Sequence, residues 1–299
     1  MIKKHFLLVI MVLSWSIYYV VCDFLIDNLE TPYFVGFLLR TVTFIILTIF
    51  FIKNKMLSFK IQNRECIVMS IVVALLAFSF DCLINIGLQY SNATSGTALL
   101  KTEMIFVILV TFLIGNNKIG ISKVLLVSLM SIGAFLITLK DFGSFSVDKW
   151  SLLFVLSALL NTICAFLIKK TQVVYRLSSY QIVYINNFTS WLLYLFMTLL
   201  FDVGRCSGWD CFFDLKIVLA FAFCGICQTT LMLTYYKALK EYQVWVVKTI
   251  LLLVPILTMI INIVFLGEYI TLLQTVGFFI IILSSLAIIV YEMKAVKKT

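Results

Sequence analysis

Charge is scarce in this 299-residue chain: Asp, Glu, Lys and Arg make up 12% of it, against 63% hydrophobic residues. Average soluble domains carry about 25% charged and about 45–50% apolar residues. The shortage excludes a large soluble core, because a soluble fold of this length needs a polar face on most helices, and most runs here are apolar all round. Histidine occurs once, as His5. Cys224 and Cys227 spell CxxC, but no second pair or histidine cluster accompanies them. Metal and redox chemistry are therefore not expected, and the cysteines in or beside apolar runs read as small hydrophobes. No phosphate-loop glycine pattern is present, so no nucleotide is expected, nor any other cofactor. Acidic residues are the rarer charge, 14 against 23 basic, for a formal net charge of +9. Such a balance can signal nucleic acid. Here the basic residues lie in short loops between apolar runs, which is the pattern of membrane topology, so no nucleic-acid partner is expected.

What is present is a series of apolar runs of about 20 residues, the length that crosses a bilayer. Ten spans are expected: Phe6 to about Ile26, Pro32 to Ile52, Cys66 to Tyr90, Thr94 to Gly115, Ile121 to Leu139, Trp150 to Ile168, Ser179 to Phe201, Leu215 to Tyr236, Gln243 to Leu266, and a tenth ending near Tyr291. The first is too long for a signal peptide and lacks a convincing small-residue cleavage site. With the N-terminus inside, sixteen Lys and Arg fall in inner segments and four in outer ones. The remaining three, Arg40, Lys101 and Lys248, lie inside helices. The positive-inside rule then puts both termini in the cytoplasm. It also puts the loop with Cys206 and Cys211 outside, where a disulfide can persist.

Five spans per half is an odd number, so a repeated second half enters the membrane inverted. GLQYSNATSGTALL, leading into the fourth span, lines up with ALKEYQVWVVKTIL, leading into the ninth. The expectation is an all-α polytopic membrane protein of ten transmembrane helices, built as two inverted five-helix repeats over residues 1–145 and 146–299. Inverted repeats are a transporter architecture with the binding site near the midplane.

The second half carries Pro255, Gly267–Glu268, Gln274 and Gly277, and the first carries Trp15 and Phe37 to Arg40, FLLR. In this order and spacing the chain resembles, over its whole length, two tandem EamA-type domains of the drug/metabolite transporter superfamily. There are departures. Met104 or Glu103 stands where Pro255 would have its first-half match, Gly115–Asn116 replaces the Gly–Glu pair, and 12 Gly and 2 Pro are fewer than the family usually has. The resemblance implies export or exchange of small metabolites, often amino acids, without ATP, in the cell (plasma or inner) membrane.

Charges inside spans are costly unless paired or facing a polar cavity. At about 1.5 Å per residue, Arg40, Asp81, Lys101 and Glu103 lie roughly 10–13 Å below the outer ends of their helices. Asp81, Asn85 and Gln89 form one polar stripe, and Thr94, Thr97 and Lys101 another. A substrate cavity lined by Arg40, Asp81, Asn85, Lys101 and Glu103 is expected. The alternative is a set of packing salt bridges, Asp81 with Lys101 or Arg40. Lys248, about 6 Å from the inner end of its helix, is expected to snorkel to the interface. Trp15, Tyr19, Asn187, Gln228 and Tyr236 are further candidates for the substrate site, Trp15 and Tyr19 as an aromatic wall. With three basic and two acidic buried side chains the cavity is slightly positive. That favours a zwitterionic or anionic metabolite such as an amino acid, moved by alternating access.

The partners expected are a small-molecule substrate and the lipid bilayer, with the protein a monomer or homodimer. Buried carboxyl groups exchange protons near neutral pH, which makes protons a candidate coupling ion through Asp81 or Glu103. The competing readings are a cationic drug or quaternary-amine transporter and, further off, a membrane enzyme or a structural membrane subunit.

Overall fold

The computed structural model describes residues 2–29, 31–53, 64–90, 96, 98–114, 120–139, 143, 149–202, 214–266 and 269–296. The loop of Cys206 and Cys211, the pairs Gly115–Asn116 and Gly267–Glu268, and Thr94 and Thr97 lie outside these residues. Within them the ordered elements are helices: α1 (Ile2–Leu29), α2 (Pro32–Lys53), α3 (Arg64–Tyr90), a 3₁₀ turn (Leu100–Thr102) running into α4 (Glu103–Ile114), α5 (Ile121–Leu139), α6 (Leu152–Val173), α7 (Ser179–Met197), α8 (Leu215–Glu241), α9 (Val244–Leu251), α10 (Val254–Ile261) and α11 (Leu272–Val296). Single π-turns extend α7 over Thr198–Asp202 and α10 over Asn262–Leu266.

Helices follow directly from composition. In lipid no water satisfies backbone groups, so a spanning segment must bond its own N–H and C=O groups internally. Hydroxyls within the spans do the same, each donating to the carbonyl four residues back: Ser16 to Val12, Ser70 to Cys66, Thr111 to Val107 and Thr229 to Gly225. Eight helical stretches among the described residues are long and apolar enough to cross a membrane. Glu103–Ile114 is only 12 residues long, and the Leu272–Ile288 stretch is shorter than the eight.

The chain divides into two compact units. The first is Met1–Ser79 with Cys164–Tyr242, and the second is Phe80–Ile163 with Gln243–Thr299. The division falls inside α3 and α6. In the first unit α1 packs on α8, α2 on both α7 and α8, and α7 on α8. One apolar cluster there gathers Leu25, Val35, Leu39, Phe221 and Cys224. The α2 start is held by Asp202, whose carboxylate accepts the Phe34 N–H at 2.8 Å, an anion at a helix N-terminus. In the second unit α5 packs on α11, α4 on α9, and α10 on α5. Its core includes Met104, Val107, Met130, Ala134, Ile256 and Ile281.

Two expected helices are broken. The fourth and ninth spans were each expected as one continuous helix. Instead the fourth tightens to 3₁₀ at Leu100–Thr102, and the ninth breaks at Leu252–Leu253. In the alignment of GLQYSNATSGTALL with ALKEYQVWVVKTIL these are equivalent positions. Pro255, in the first turn of α10, explains the second break: it has no N–H to offer the preceding turn. Leu252 and Leu253 instead donate to the carbonyls three residues back, Thr249 and Ile250, at 3.1 and 3.0 Å. No proline marks the first break. There, hydroxyls take the carbonyls: Thr102 Oγ1 donates to Leu99 O at 2.7 Å and Ser131 Oγ donates to Lys101 O at 2.8 Å.

Candidate functional site

The expected site residues fall into two sets, one in each unit. In the first unit α2 contributes Arg40 and Thr43, α7 contributes Asn186, Asn187 and Ser190, and α8 contributes Gln228, Met232 and Tyr236. All eight are buried. The Arg40 guanidinium donates to the Met232 thioether at 3.3 Å, and the Arg40 carbonyl accepts from Asn187 Nδ2 at 3.2 Å. Met232 is the position equivalent to Asp81 in the repeat alignment, so a soft, polarisable acceptor stands where the first half has an acid. Thr43 Oγ1 donates to Gln228 Oε1 at 2.9 Å. Asn186 Nδ2 donates to the Tyr236 hydroxyl, and Ser190 Oγ donates to Asn186 Oδ1 at 3.2 Å. Tyr236 also lies within electrostatic reach of Arg40. One acceptor is left over: Asn187 Oδ1 is buried with no hydrogen-bond partner among the described residues. A buried unmatched acceptor is costly and uncommon in folded proteins.

An aromatic wall continues this set. Trp15 on α1 meets Tyr235 edge to face, with ring centroids 5.3 Å apart and an 87° interplanar angle, and Tyr235 meets Tyr236 at 5.9 Å and 79°. Tyr19 tilts against Trp15 at 6.4 Å but is 46% exposed. Below the wall, Gln172 and Lys169 on α6 hold the end of α8. Gln172 Nε2 donates to Tyr236 O at 2.9 Å, and the Lys169 ammonium donates to Leu239 O at 3.0 Å and to Tyr242 O. A cation on the last carbonyls of a helix is favourably placed for its dipole.

The second unit holds Asp81, Lys101 and Glu103, together with a residue assigned elsewhere from sequence. Lys248 does not snorkel to the interface. Its side chain is 2% exposed, and its ammonium sits 2.6 Å from Glu103 Oε1. The reason is the break in the ninth span. Lys248 is in the last turn of α9 and Glu103 is the first residue of α4. Each charge therefore sits at the helix end whose dipole favours it. Counting depth along one straight helix could not reveal this. The repeat alignment carried a signal, since it sets Lys248 opposite Thr97 and close to the only acid of the fourth span.

Lys101 is half-buried on the 3₁₀ turn, within electrostatic range of Glu103. Its ammonium forms no ion pair among the described residues, so the alternative bridge from Asp81 to Lys101 is not formed. Asp81 is half-buried on α3, and the side chains of Asn85 and Gln89 lie outside the described residues. Thr162 on α6 approaches this set, its hydroxyl 3.0 Å from Ala158 O and 3.5 Å from Glu103 O.

Gln274 and Gly277, which carried part of the resemblance, are packing residues. Gln274 forms a reciprocal cap with Thr271 at the start of α11, and its Nε2 donates to Ile137 O at 3.3 Å. Gly277 lets α11 meet α5 at Gly133. A Cβ on Gly277 would lie 2.6 Å from the Gly133 carbonyl oxygen.

Apolar helices long enough to span a bilayer, with charge and amide groups buried among them, define a multi-pass helical membrane protein. The family model described as the EamA-like transporter family matches residues 2–139 and 148–290. The chain belongs to that family, part of the drug/metabolite transporter superfamily, and is a membrane transporter. A crystal structure titled only as that of a protein superposes with a TM-score of 0.78 over 94% of each chain at 12% identity, a likeness of fold. No curated protein sequence matches the chain significantly.

Proposed function

We propose that this transporter is a secondary-active exporter or exchanger of a small polar metabolite such as an amino acid. It works by alternating access across the plasma or inner membrane. The observation that carries this reading is charge inside spanning helices, buried or half-buried, with three basic and two acidic side chains. Arg40, Lys101 and Lys248 stand against Asp81 and Glu103, and the amides Asn187 and Gln228 with the Tyr236 hydroxyl supply neutral hydrogen-bonding groups. Intramembrane charges of this kind mark solute pathways. A basic balance suits an anionic or zwitterionic solute, and Asn187 Oδ1 is an acceptor suited to an ammonium group.

The transmembrane plan in this reading is ten crossings, two inverted repeats over residues 1–145 and 146–299, and cytoplasmic termini. Pairing of like with like supports it: α2 packs on α7, α4 on α9 and α5 on α11. These are the second and seventh, fourth and ninth, and fifth and tenth spans, the pairings that a two-fold axis between repeats produces. Protons are the coupling ion in this scheme, through Asp81 or Glu103. Vesicle transport that keeps its pH dependence in both Asp81→Asn and Glu103→Gln would remove protons from it.

A cationic drug or quaternary-amine cargo is the second reading, and the Trp15–Tyr235–Tyr236 wall favours it, because aromatic faces attract cations. Thermal stability of the purified protein separates the two. Amino acids and organic anions are expected to raise the melting temperature, because a ligand that binds the folded state stabilises it by mass action. A rise with quaternary amines and aromatic cations alone would replace the first reading by the second.

A further inference from the structure

We propose that Cys22 on α1 and Cys224 on α8 are a redox pair, which a lipid-soluble hydroperoxide closes to a disulfide that ties the two helices together. The inference is independent of the cargo. It replaces the expectation that these cysteines are inert apolar side chains. It also pairs one thiol of the CxxC motif with a distant span and not with Cys227.

Helix geometry brings the two thiols together. The Cys224 thiol donates to the Tyr18 carbonyl at 3.8 Å, one turn before Cys22 on α1. A helical side chain tilts toward the N-terminus and covers the preceding turn, so the Cys22 side chain leans over the turn that Cys224 touches. The Cys22 thiol is within hydrogen-bonding reach of Cys224 Sγ. Packing agrees. Cys224 belongs to the apolar cluster of Leu25 and Phe221, and Cys22 packs against that cluster from α1. Both helices lie in the first unit, where no other helix pair packs as extensively among the described residues. Closing the bond therefore asks for little movement of either backbone, the usual obstacle to a disulfide.

The two cysteines differ in access. Cys224 is fully buried and Cys22 half-buried, so an oxidant dissolved in lipid meets Cys22 first. The Cys22 sulfur attacks the peroxide oxygen, the O–O bond breaks, and the products are the Cys22 sulfenic acid and an alcohol. The Cys224 sulfur then attacks the Cys22 sulfur, the S–O bond breaks and water leaves. Two thiols together lose two protons and two electrons, and the hydroperoxide takes them up as alcohol and water. The bond fixes α1 on α8, the helices that carry the edge-to-face contact of Trp15 with Tyr235.

The test uses the full-length protein in mild detergent, with Cys206→Ser and Cys211→Ser to keep the loop cysteines out of the count. The reduced protein is treated with cumene hydroperoxide, its free thiols are alkylated, and intact mass is measured. Two alkylated thiols are expected to disappear, without added oxygen and reversibly with dithiothreitol. Digestion without reductant is expected to give a cross-linked peptide that holds Cys22 and Cys224. The loop closed by the bond spans most of the chain, so the melting temperature should rise by about 5 °C or more.

Cys22→Ala is expected to abolish the loss of thiols and the rise. Cys227→Ala should keep both, as should Cys164→Ala, whose native thiol donates to the Val73 carbonyl at 3.6 Å. Cys224→Ala removes a core group, and if it is not monodisperse, Cys22→Ala and the cross-linked peptide decide. An unchanged thiol count, an equal loss in Cys22→Ala, or a cross-link between Cys224 and Cys227 would overturn the proposal. A bond that leaves the melting temperature unchanged would overturn the tether.

Discussion

Lys248→Met would leave the Glu103 carboxylate without the cation that sits 2.6 Å from it. Removing one partner of a buried pair is strongly destabilising, whereas replacing both partners by neutral groups is often tolerated. Because Glu103 keeps part of its surface exposed, the expected loss is about 2–4 kcal/mol, at or below the range for fully buried pairs. Combining Lys248→Met with Glu103→Gln should restore most of it. Thermal unfolding of the three proteins in one detergent measures this, and equal losses in the single and double variants would assign the effect to packing instead. The first-unit residues differ in kind. The Arg40 side chain bonds Met232, Asn187 bonds the Arg40 carbonyl and Gln228 bonds Thr43, each across helices, so their variants mix lost recognition with lost packing. Binding and stability have to be read together there.

At the scale of elements, close approach and helix breaks carry the consequences. A Cβ at Gly277 meets backbone, the Gly133 oxygen at 2.6 Å, and a Cβ at Gly225 meets Val42 Cγ1 at 2.4 Å and Val42 Cβ, next to that residue's backbone, at 2.8 Å. Neither a carbonyl nor the Cβ of a β-branched residue can turn aside. Gly277→Ala should therefore force α11 away from α5 and cost about 1–3 kcal/mol, in the range of overpacked sites. Gly225→Ala should cost a similar amount by pressing α8 off α2, and thermal unfolding of both variants is the check, with an unchanged melting temperature meaning that the close approach gives way freely. The paired breaks show two local chemistries reaching one outcome. A proline withholds a donor in the ninth span, and two hydroxyls engage carbonyls in the fourth. Both breaks leave charged residues at helix ends in the second unit. A substrate site built from such ends uses dipoles that continuous helices would bury in their middles.

The whole molecule is interleaved. Each compact unit draws its chain from both halves of the sequence, and the dominant helix pairs, α1 with α8 and α5 with α11, join segments more than a hundred residues apart. Neither half contains a complete unit. Residues 1–145 and 146–299 expressed separately should therefore each fail to give monodisperse protein, and coexpression should recover the complex. Size-exclusion chromatography of the separate and coexpressed halves reads the result. A half that is stable alone would mean that the repeats, and not the interleaved units, are the folding bodies.

The sequence by itself determined the class of fold, the family and most helix limits. All of these follow from lipid as solvent, which demands long apolar helices and tolerates charge only in a few places. Arg40, Lys101 and Glu103 stood out as charges inside spans for that reason alone. The sequence also held the pattern behind the family resemblance, but not the work of its residues: Gln274 and Gly277 are packing and capping groups. Only the tertiary structure decided which charge meets which. Lys248 was read from its distance to a helix end, and that distance assumes an unbroken helix. Tertiary hydrogen bonds from Ser131 and the turn before Pro255 break both helices, and two charges 145 positions apart become neighbours. Pairing between distant spans depends on helix breaks and on packing across repeats, and neither is a property of any one segment.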